Sequence, residues 1–149
     1  MTIYFDMDGT IADLYGVENW LEYLINSNSL PYEIAKPLVN LSLLARRLNR
    51  LRREGYKLGI ISWLSKENHP DYNKAVTAAK EKWLKKHLPS IKWDEISIVS
   101  YGTPKSSVAS EIGILFDDEE ANRKEWKKAG GTAFAPDEIF NILKVLNDV

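Results

Sequence analysis

Two aspartates near the start of the chain, in the stretch Asp6-Met7-Asp8-Gly9-Thr10, combine residue types and spacing that suit chemistry. They follow the apolar run 3–5, which predicts a buried strand. Because residues i and i+2 of an extended segment point the same way, Asp6 and Asp8 can converge on one point. Two carboxylates that close repel one another unless a cation lies between them, and Mg²⁺ suits a site made of oxygen ligands.

Bulk properties restrict the class of protein. The chain has 149 residues, which fits one domain with a real core, and its net charge is −1. This charge favours neither nucleic acid nor an anionic membrane surface as a partner. The absence of cysteine excludes disulfides and thiolate chemistry, and fits a cytoplasmic protein. We see no signal peptide and no apolar run long enough for a transmembrane helix.

Short apolar strands and helical segments alternate along the chain. Strands are predicted at 3–5, 56–61, 95–99, 112–116 and 132–135. Helices are predicted at 17–26, 31–54 with a kink near Pro37, 73–87, 105–111, 121–129 and 136–146. This alternation predicts an α/β fold with a parallel sheet covered on both faces, in a single domain spanning residues 1–149.

Two helical segments carry further expectations. The stretch after Asp13 is longer than one crossover helix needs, so residues 14–45 are predicted to form a small cap-like insert over the mouth of a site. The packing face of the helix at 73–87 is predicted from its apolar residues, which are Ala75, Ala78, Ala79, Trp83 and Leu84.

Polar residues follow four of the predicted strands, at the ends that share one edge of a parallel sheet. They are Asp6 and Asp8, then Ser62, then Lys105, then Asp117 and Asp118. Taken singly, each has a plainer interpretation: an aspartate pair can cap the next helix, a serine can belong to a turn, and a lysine can be solvated. However, a lysine that opens a helix opposes the helix dipole, so the position of Lys105 needs a reason.

Together, these residues resemble the motifs of the haloacid dehalogenase superfamily of phosphotransferases: DxDGT, then Ser, then Lys, then DD. The resemblance covers the whole chain and implies a three-layer Rossmann-like fold with strand order 3-2-1-4-5. It implies that Asp6 is the nucleophile that forms an aspartyl-phosphate, and that Asp8 is the general acid and base.

The same resemblance implies the rest of the site. Mg²⁺ would be held by the Asp6 carboxylate, the Asp8 carbonyl and Asp118, and Asp117 would orient Lys105 or a metal-bound water. Ser62 and Lys105 would contact the phosphoryl oxygens. The remaining phosphate-binding positions would be Asp6, Met7, Asp8 and Trp63, and the supporting positions would be Thr10 and Asp13.

A second resemblance concerns the substrate. The segment 81–89, EKWLKKHLP, and the opening DMDGTIAD are similar to the 5′(3′)-deoxyribonucleotidases. This implies a nucleoside monophosphate as substrate, although the loop 63–72 and the short insert depart from that branch. The alternatives are a phosphatase for another small molecule, a polynucleotide end or a phosphoprotein, and a non-catalytic binding protein.

Aromatic and basic residues leave further choices open. Tyr15 and Trp63 lie near the motifs and could stack a nucleobase, although such aromatics are more often core. A basic run near the end of the second predicted helix could contact nucleic-acid phosphates, although a solvated helix face is the plainer interpretation: Arg46, Arg47, Arg50, Arg52 and Arg53. Lys66 and His69 could touch substrate or be ordinary surface. A second subunit could also cover an open site.

Overall fold

A five-stranded parallel sheet forms the centre of the computed structural model, which describes residues 1–67 and 69–148. Its strands are β1 (Thr2–Phe5), β4 (Lys57–Trp63), β5 (Glu95–Val99), β6 (Ile114–Phe116) and β7 (Thr132–Phe134). Their order is β5-β4-β1-β6-β7, with Phe5 opposite both Ile60 and Phe116. This confirms the predicted α/β fold and the order 3-2-1-4-5.

Helices cover both faces of the sheet. They are α1 (Trp20–Ile25), α2 (Leu30–Ile34), α3 (Leu41–Arg53), α4 (Pro70–His87), α5 (Glu120–Lys128) and α6 (Ile139–Asn147). Alternate strand residues serve the two layers, because successive side chains point to opposite faces. Phe5 and Ile60 pack in a core with α3, α4 and α6, while Tyr4 and Leu115 pack with Trp126 of α5. Strands buried on both faces explain why the sequence shows apolar runs rather than alternation.

The segment between β1 and α3 contains more than the predicted helices. A two-residue strand β2 (Ala12–Asp13) pairs antiparallel with β3 (Lys36–Pro37), and α1 and α2 lie between them. The predicted helix 31–54 with a kink near Pro37 is therefore wrong, because α2, β3 and α3 divide this range. Pro37 lacks an N–H and holds the residue before it in an extended conformation, and Asn40 then starts α3 by accepting a hydrogen bond from the Leu43 amide at 3.0 Å.

Other element bounds also differ from the sequence expectation. The predicted helix 105–111 is only a 3₁₀ turn at Lys105–Ser107. There, Ser106 donates from its amide and hydroxyl to Glu125, and Ser110 donates to Glu95, so side-chain bonds replace the helical ladder. The strand β4 extends to Trp63 and α4 begins at Pro70, which shortens the predicted loop 63–72 from both ends; Asn68 in that loop lies outside the described residues.

The packing face of α4 was predicted in part, because Ala79, Trp83 and Leu84 are buried as expected. Ala75 and Ala78 are exposed, whereas the buried stripe consists of Tyr72, Val76, Ala79, Lys80, Trp83 and Leu84. Within the described part of the chain, no helix has the length and apolar character needed to span a bilayer.

Candidate active site

The first strand delivers Asp6 to the carboxyl edge of the sheet, and the turn after it fixes the carboxylate from two sides. The Asp6 amide donates to the Phe116 carbonyl at 2.9 Å, which keeps this residue in register with β6. The Thr10 hydroxyl, fully buried, donates to Asp6 Oδ2 at 3.0 Å, and Lys105 Nζ donates to Asp6 Oδ1 at 2.9 Å. Thr10 thus lies against the Asp6 carboxylate, and its supporting role stays a prediction.

Gly9 allows the turn to close against the fourth motif. Its φ is +80°, a conformation that favours glycine, and a Cβ atom there would lie 2.2 Å from Asp118 Oδ2. The Thr10 hydroxyl also accepts from the Asp118 amide at 3.2 Å, so the first and fourth motifs are directly joined.

Three carboxylates form a compact group at this edge. Asp6, Asp117 and Asp118 each offer an oxygen atom within 4.8 Å of the others. These hard oxygen donors, one partly exposed and two buried, fit a divalent cation such as Mg²⁺. The carboxylate of Asp8 is not in this group, so the two acids of the first motif do not share one cation through their side chains.

The two aspartates of the fourth motif differ in their partners. Asp117 is fully buried and its side chain accepts from Lys105 Nζ at 2.6 Å, Asn122 Nδ2 at 3.2 Å and the Glu119 amide at 2.9 Å. Asp118 borders the cavity described below, and its Oδ1 lies 3.5 Å from the Thr10 hydroxyl. Asp117 is therefore held by protein donors, whereas Asp118 presents oxygen atoms to the cavity.

Burial and mutual repulsion raise the pKa values of this acidic group. Burial, followed by the charge of Asp6, raises the pKa of Asp117 to about 6 and that of Asp118 to about 8. Burial alone would lower the pKa of Lys105, but the charges of Asp6 and Asp117 overcome it and raise the pKa. A charged Lys105 between two carboxylates explains why the chain places a lysine at this position.

Asp8 has a separate partner that sequence reasoning missed. Lys80 of α4 donates from Nζ to Asp8 Oδ2 at 2.8 Å, to Ser62 Oγ at 2.6 Å and to the Trp63 carbonyl at 2.7 Å. Burial raises the pKa of Asp8, and the charge of Lys80 opposes that rise. Helical spacing in the sequence could have indicated that Lys80 is buried, because it lies four residues after Val76 on the apolar stripe of α4. A lysine at such a position needs a buried partner.

A cavity of about 570 Å³ opens above these groups. Its floor is formed by Asp6, Asp8, Lys105 and Asp118. Its rim is largely apolar and aromatic, and includes Leu14, Tyr15, Trp20, Leu21, Leu24, Ile25, Tyr32, Trp63, Leu64 and Tyr101. Most of the rim comes from the segment between β2 and α2. Tyr15 and Trp63 therefore border the cavity rather than the core, as a stacking role requires.

Several other predicted positions lie around the cavity or away from it. Ser62 is completely buried beside Lys80 and is not among the described residues that line the cavity. The Met7 side chain is core, while the Trp63 ring lies 5.7 Å from Lys105 Nζ. Asp13 accepts from the Gly16 amide at 3.0 Å and borders a second, smaller cavity instead.

Basic residues divide between the two edges of the sheet. Lys66 borders the main cavity with its Nζ 5.1 Å from the centre of the Tyr101 ring. The arginine-rich end of α3 precedes β4 and so lies at the opposite, amino-terminal edge, where Arg52 pairs with Asp94 at 3.3 Å and Arg50 with Glu54 at 3.3 Å. This position separates those arginines from the acidic site.

Comparison with known proteins identifies the fold. No family model and no curated protein matches the sequence. Among solved structures, the chain is similar to the D,D-heptose 1,7-bisphosphate phosphatase of Burkholderia thailandensis, with a TM-score of 0.55 and 12% sequence identity. The match covers 87% of this chain and 74% of that one. The two proteins therefore share a fold, which agrees with the predicted sheet order.

Proposed function

We propose that this protein is a Mg²⁺-dependent phosphomonoester hydrolase of the haloacid dehalogenase type that acts through an aspartyl-phosphate. One observation carries the proposal: the Asp6 carboxylate accepts a hydrogen bond from the buried Lys105 ammonium and belongs to the three-carboxylate group at the floor of an open cavity. The fold shared with a phosphatase supports it.

The acidic group fits Mg²⁺ by the chemistry of its donors. Asp6, Asp118 and the Asp8 carbonyl would hold the ion, and Asp118 is preferred over Asp117 because Asp117 already accepts three protein hydrogen bonds. When bound, the ion neutralises charge between the carboxylates and the phosphate.

The side chains divide the reaction between them. Asp6 attacks phosphorus and displaces the leaving alcohol, to which Asp8 gives a proton. Asp8 then takes a proton from the water that cleaves the aspartyl-phosphate. Lys105 orients Asp6 through its hydrogen bond to Oδ1. The amides near Met7 and Trp63 are assigned to the phosphoryl oxygens, whereas Ser62 is completely buried against Lys80.

We assign a nucleoside monophosphate as the substrate class. Two pairs of aromatic rings at the rim favour a substrate that carries a planar group. The ring centroids of Trp63 and Tyr101 lie 4.9 Å apart, and those of Tyr15 and Trp20 lie 5.0 Å apart. Such faces can stack a base while the phosphate reaches the floor. Residues 14–45 would act as a small cap, although α3 begins within that range at Leu41 and places Leu44 in the core.

Hydrolysis of an aryl phosphate, measured with and without Mg²⁺, tests the enzymatic proposal. We expect metal-dependent phosphate release that is lost in Asp6→Asn, while the exposed control Asp137→Asn retains it. Absence of metal-dependent release, or full activity in Asp6→Asn, would instead favour a non-catalytic binding protein.

A phosphate-release screen tests the substrate class. The screen compares nucleoside monophosphates, sugar phosphates, phosphopeptides and oligonucleotides with a terminal phosphate. Preference for some nucleotides over sugar phosphates supports the nucleotidase assignment. Uniformly low rates with all nucleotides, beside faster release from another class, would reject it.

A further inference from the structure

Lys80 is a buried cation that the phosphatase scheme does not require. Only 1% of the residue is exposed, and it lies in the middle of α4 rather than at a strand end. Taking a lysine out of water is costly unless its ammonium is paired and hydrogen-bonded. A lysine retained at such a position therefore needs an explanation in terms of its partners.

The ammonium of Lys80 has no spare hydrogen bond for a substrate. It has three N–H donors, and these are matched by the three acceptors already described: Asp8 Oδ2, Ser62 Oγ and the Trp63 carbonyl. The ring of Tyr32, centred 5.1 Å from Nζ, lies on a further side. Lys80 is also not among the described residues that line the cavity. These contacts argue against direct binding of phosphate.

The scaffold around Lys80 is fixed. Two of its acceptors belong to the end of β4, an interior strand of the sheet, and Trp83 one turn further along α4 donates to the Ala35 carbonyl at 2.7 Å. Lys80 therefore connects the end of a strand to Asp8, whose accepting group is a carboxylate at the floor of the cavity.

The two buried lysines divide the acids of the first motif between them. Lys105 donates to Asp6 and Asp117, whereas Lys80 donates to Asp8. In the proposed reaction these two aspartates have different tasks, and each has its own cation. This separation is what two carboxylates two residues apart need if one is to attack and the other is to exchange protons.

We propose that Lys80 is a positioning residue that holds Asp8 for proton exchange with the leaving group. This inference rests on the proposed function. Lys80 occupies Oδ2, so Oδ1 is the oxygen atom through which Asp8 would exchange its proton. As the Asp6–phosphorus bond forms and the bond from phosphorus to the leaving oxygen breaks, that proton passes to the leaving oxygen, and the new Asp8 carboxylate remains paired with Lys80.

The dependence of rate on the leaving group tests this role. Lys80→Met is compared with wild type on nitrophenyl, phenyl and alkyl phosphates, at saturating Mg²⁺. We expect kcat to fall about 100-fold for the alkyl phosphate and less than about 10-fold for the nitrophenyl phosphate, because a poor leaving group depends most on its proton donor. We expect KM to change less than about 3-fold, since Lys80 does not contact substrate.

Control variants separate positioning from folding. The exposed Lys85→Met on the same helix should behave as wild type. Lys80→Gln retains a hydrogen-bond donor without the charge, so its rates should depend on the leaving group in the same way but less strongly. This variant replaces Lys80→Met if Lys80→Met does not fold. In an Asp8→Asn background, Lys80→Met should cause no further selective loss with the alkyl phosphate.

Two results would overturn the inference. An equal fall in rate for all three substrates would indicate a structural role only, and a raised KM with unchanged kcat would make Lys80 a substrate contact. Both leave the proposed phosphatase intact, because wild type would still be active and Asp6→Asn inactive. An inactive wild type would remove the proposed function and this inference together.

Discussion

The floor and the rim of the cavity differ in exposure and in what holds their side chains. Floor groups are held by short bonds to buried partners, such as Lys105 Nζ to Asp6 Oδ1 at 2.9 Å and Lys80 Nζ to Asp8 Oδ2 at 2.8 Å. At the rim, Leu21 is 55% and Ile25 is 67% exposed, and both lie on the six-residue helix α1. The floor residues follow strand ends, whereas much of the rim belongs to the segment between β2 and α2.

This difference leads us to expect different responses to substitution at the floor and at the rim. A buried, paired charge is expensive to disturb, because the partner is left uncompensated. An exposed apolar side chain costs little to replace. Stability should therefore respond strongly to changes at the floor, and substrate preference should respond to changes at the rim.

The largest expected effect is at Lys105. Lys105→Met removes the cation between Asp6 and Asp117, which should destabilise the fold by about 3 kcal/mol and reduce turnover by more than about 1,000-fold. Urea unfolding and phosphate release measure the two effects. The control Lys124→Met removes an exposed pair with Glu120 and should change stability by less than about 0.5 kcal/mol. Similar losses in both variants would contradict the distinction between floor and surface.

A smaller effect is expected at Gly9. Gly9→Ala puts an L side chain at φ +80° and its Cβ against Asp118 Oδ2. The expected loss is about 2 kcal/mol in stability with at least about 10-fold weaker Mg²⁺ binding, measured by calorimetry.

Gly55→Ala is the matched control for Gly9→Ala. Its φ is +101°, but a Cβ there meets nothing within 4 Å. It should cost about 1 kcal/mol and leave Mg²⁺ affinity unchanged. If both variants bound Mg²⁺ as wild type does, the steric conflict between a Cβ atom at position 9 and Asp118 would have no effect on the metal site.

The acidic group should make stability fall as pH rises. The pKa of Asp118 is raised from 3.8 to about 8, so between these pH values the folded state holds a proton that the unfolded state has lost. Stability without Mg²⁺ is then greatest below about pH 4 with respect to this group and declines as pH approaches 8.

Mg²⁺ should oppose that decline. At about ten times its Kd, the ion adds about 1.4 kcal/mol, and because it competes with protons its effect should grow with pH. Thermal melts across this pH range, with Mg²⁺ or with Na⁺ at equal ionic strength, measure it. An equal rise in Tm at all pH values would argue against binding at these carboxylates.

The smallest effect on stability is expected at the rim. Ile25→Ala should change the free energy of unfolding by less than about 0.5 kcal/mol, because the side chain is largely exposed. It should raise KM for a nucleoside monophosphate about 3- to 10-fold and leave hydrolysis of a small alkyl phosphate unchanged. Val145→Ala, at an exposed position on α6, is the control. Unchanged KM in both variants would exclude α1 from substrate binding.

The sequence determined the sheet and much of the floor. Four short apolar runs, each followed by a polar residue, were enough to predict parallel strands whose ends meet, because such strands share one carboxyl edge. Asp6, Asp8, Lys105 and the 117–118 pair were found in this way. The roles assigned to them, the Mg²⁺ ligands and the cytoplasmic location stay predictions.

Tertiary packing decided which groups are partners. Lys80 reaches Asp8 across 72 positions of sequence, and no local pattern encodes that distance. The stripe of α4 was predicted only in part because alanines are compatible with either face. Packing of Val76 against Leu14 and Tyr32, and of Lys80 against the end of β4, decided which face is buried. Likewise, the break at Pro37 depends on pairing with β2. The sequence thus determined the chemistry available at the edge, whereas packing decided which cation holds each acid.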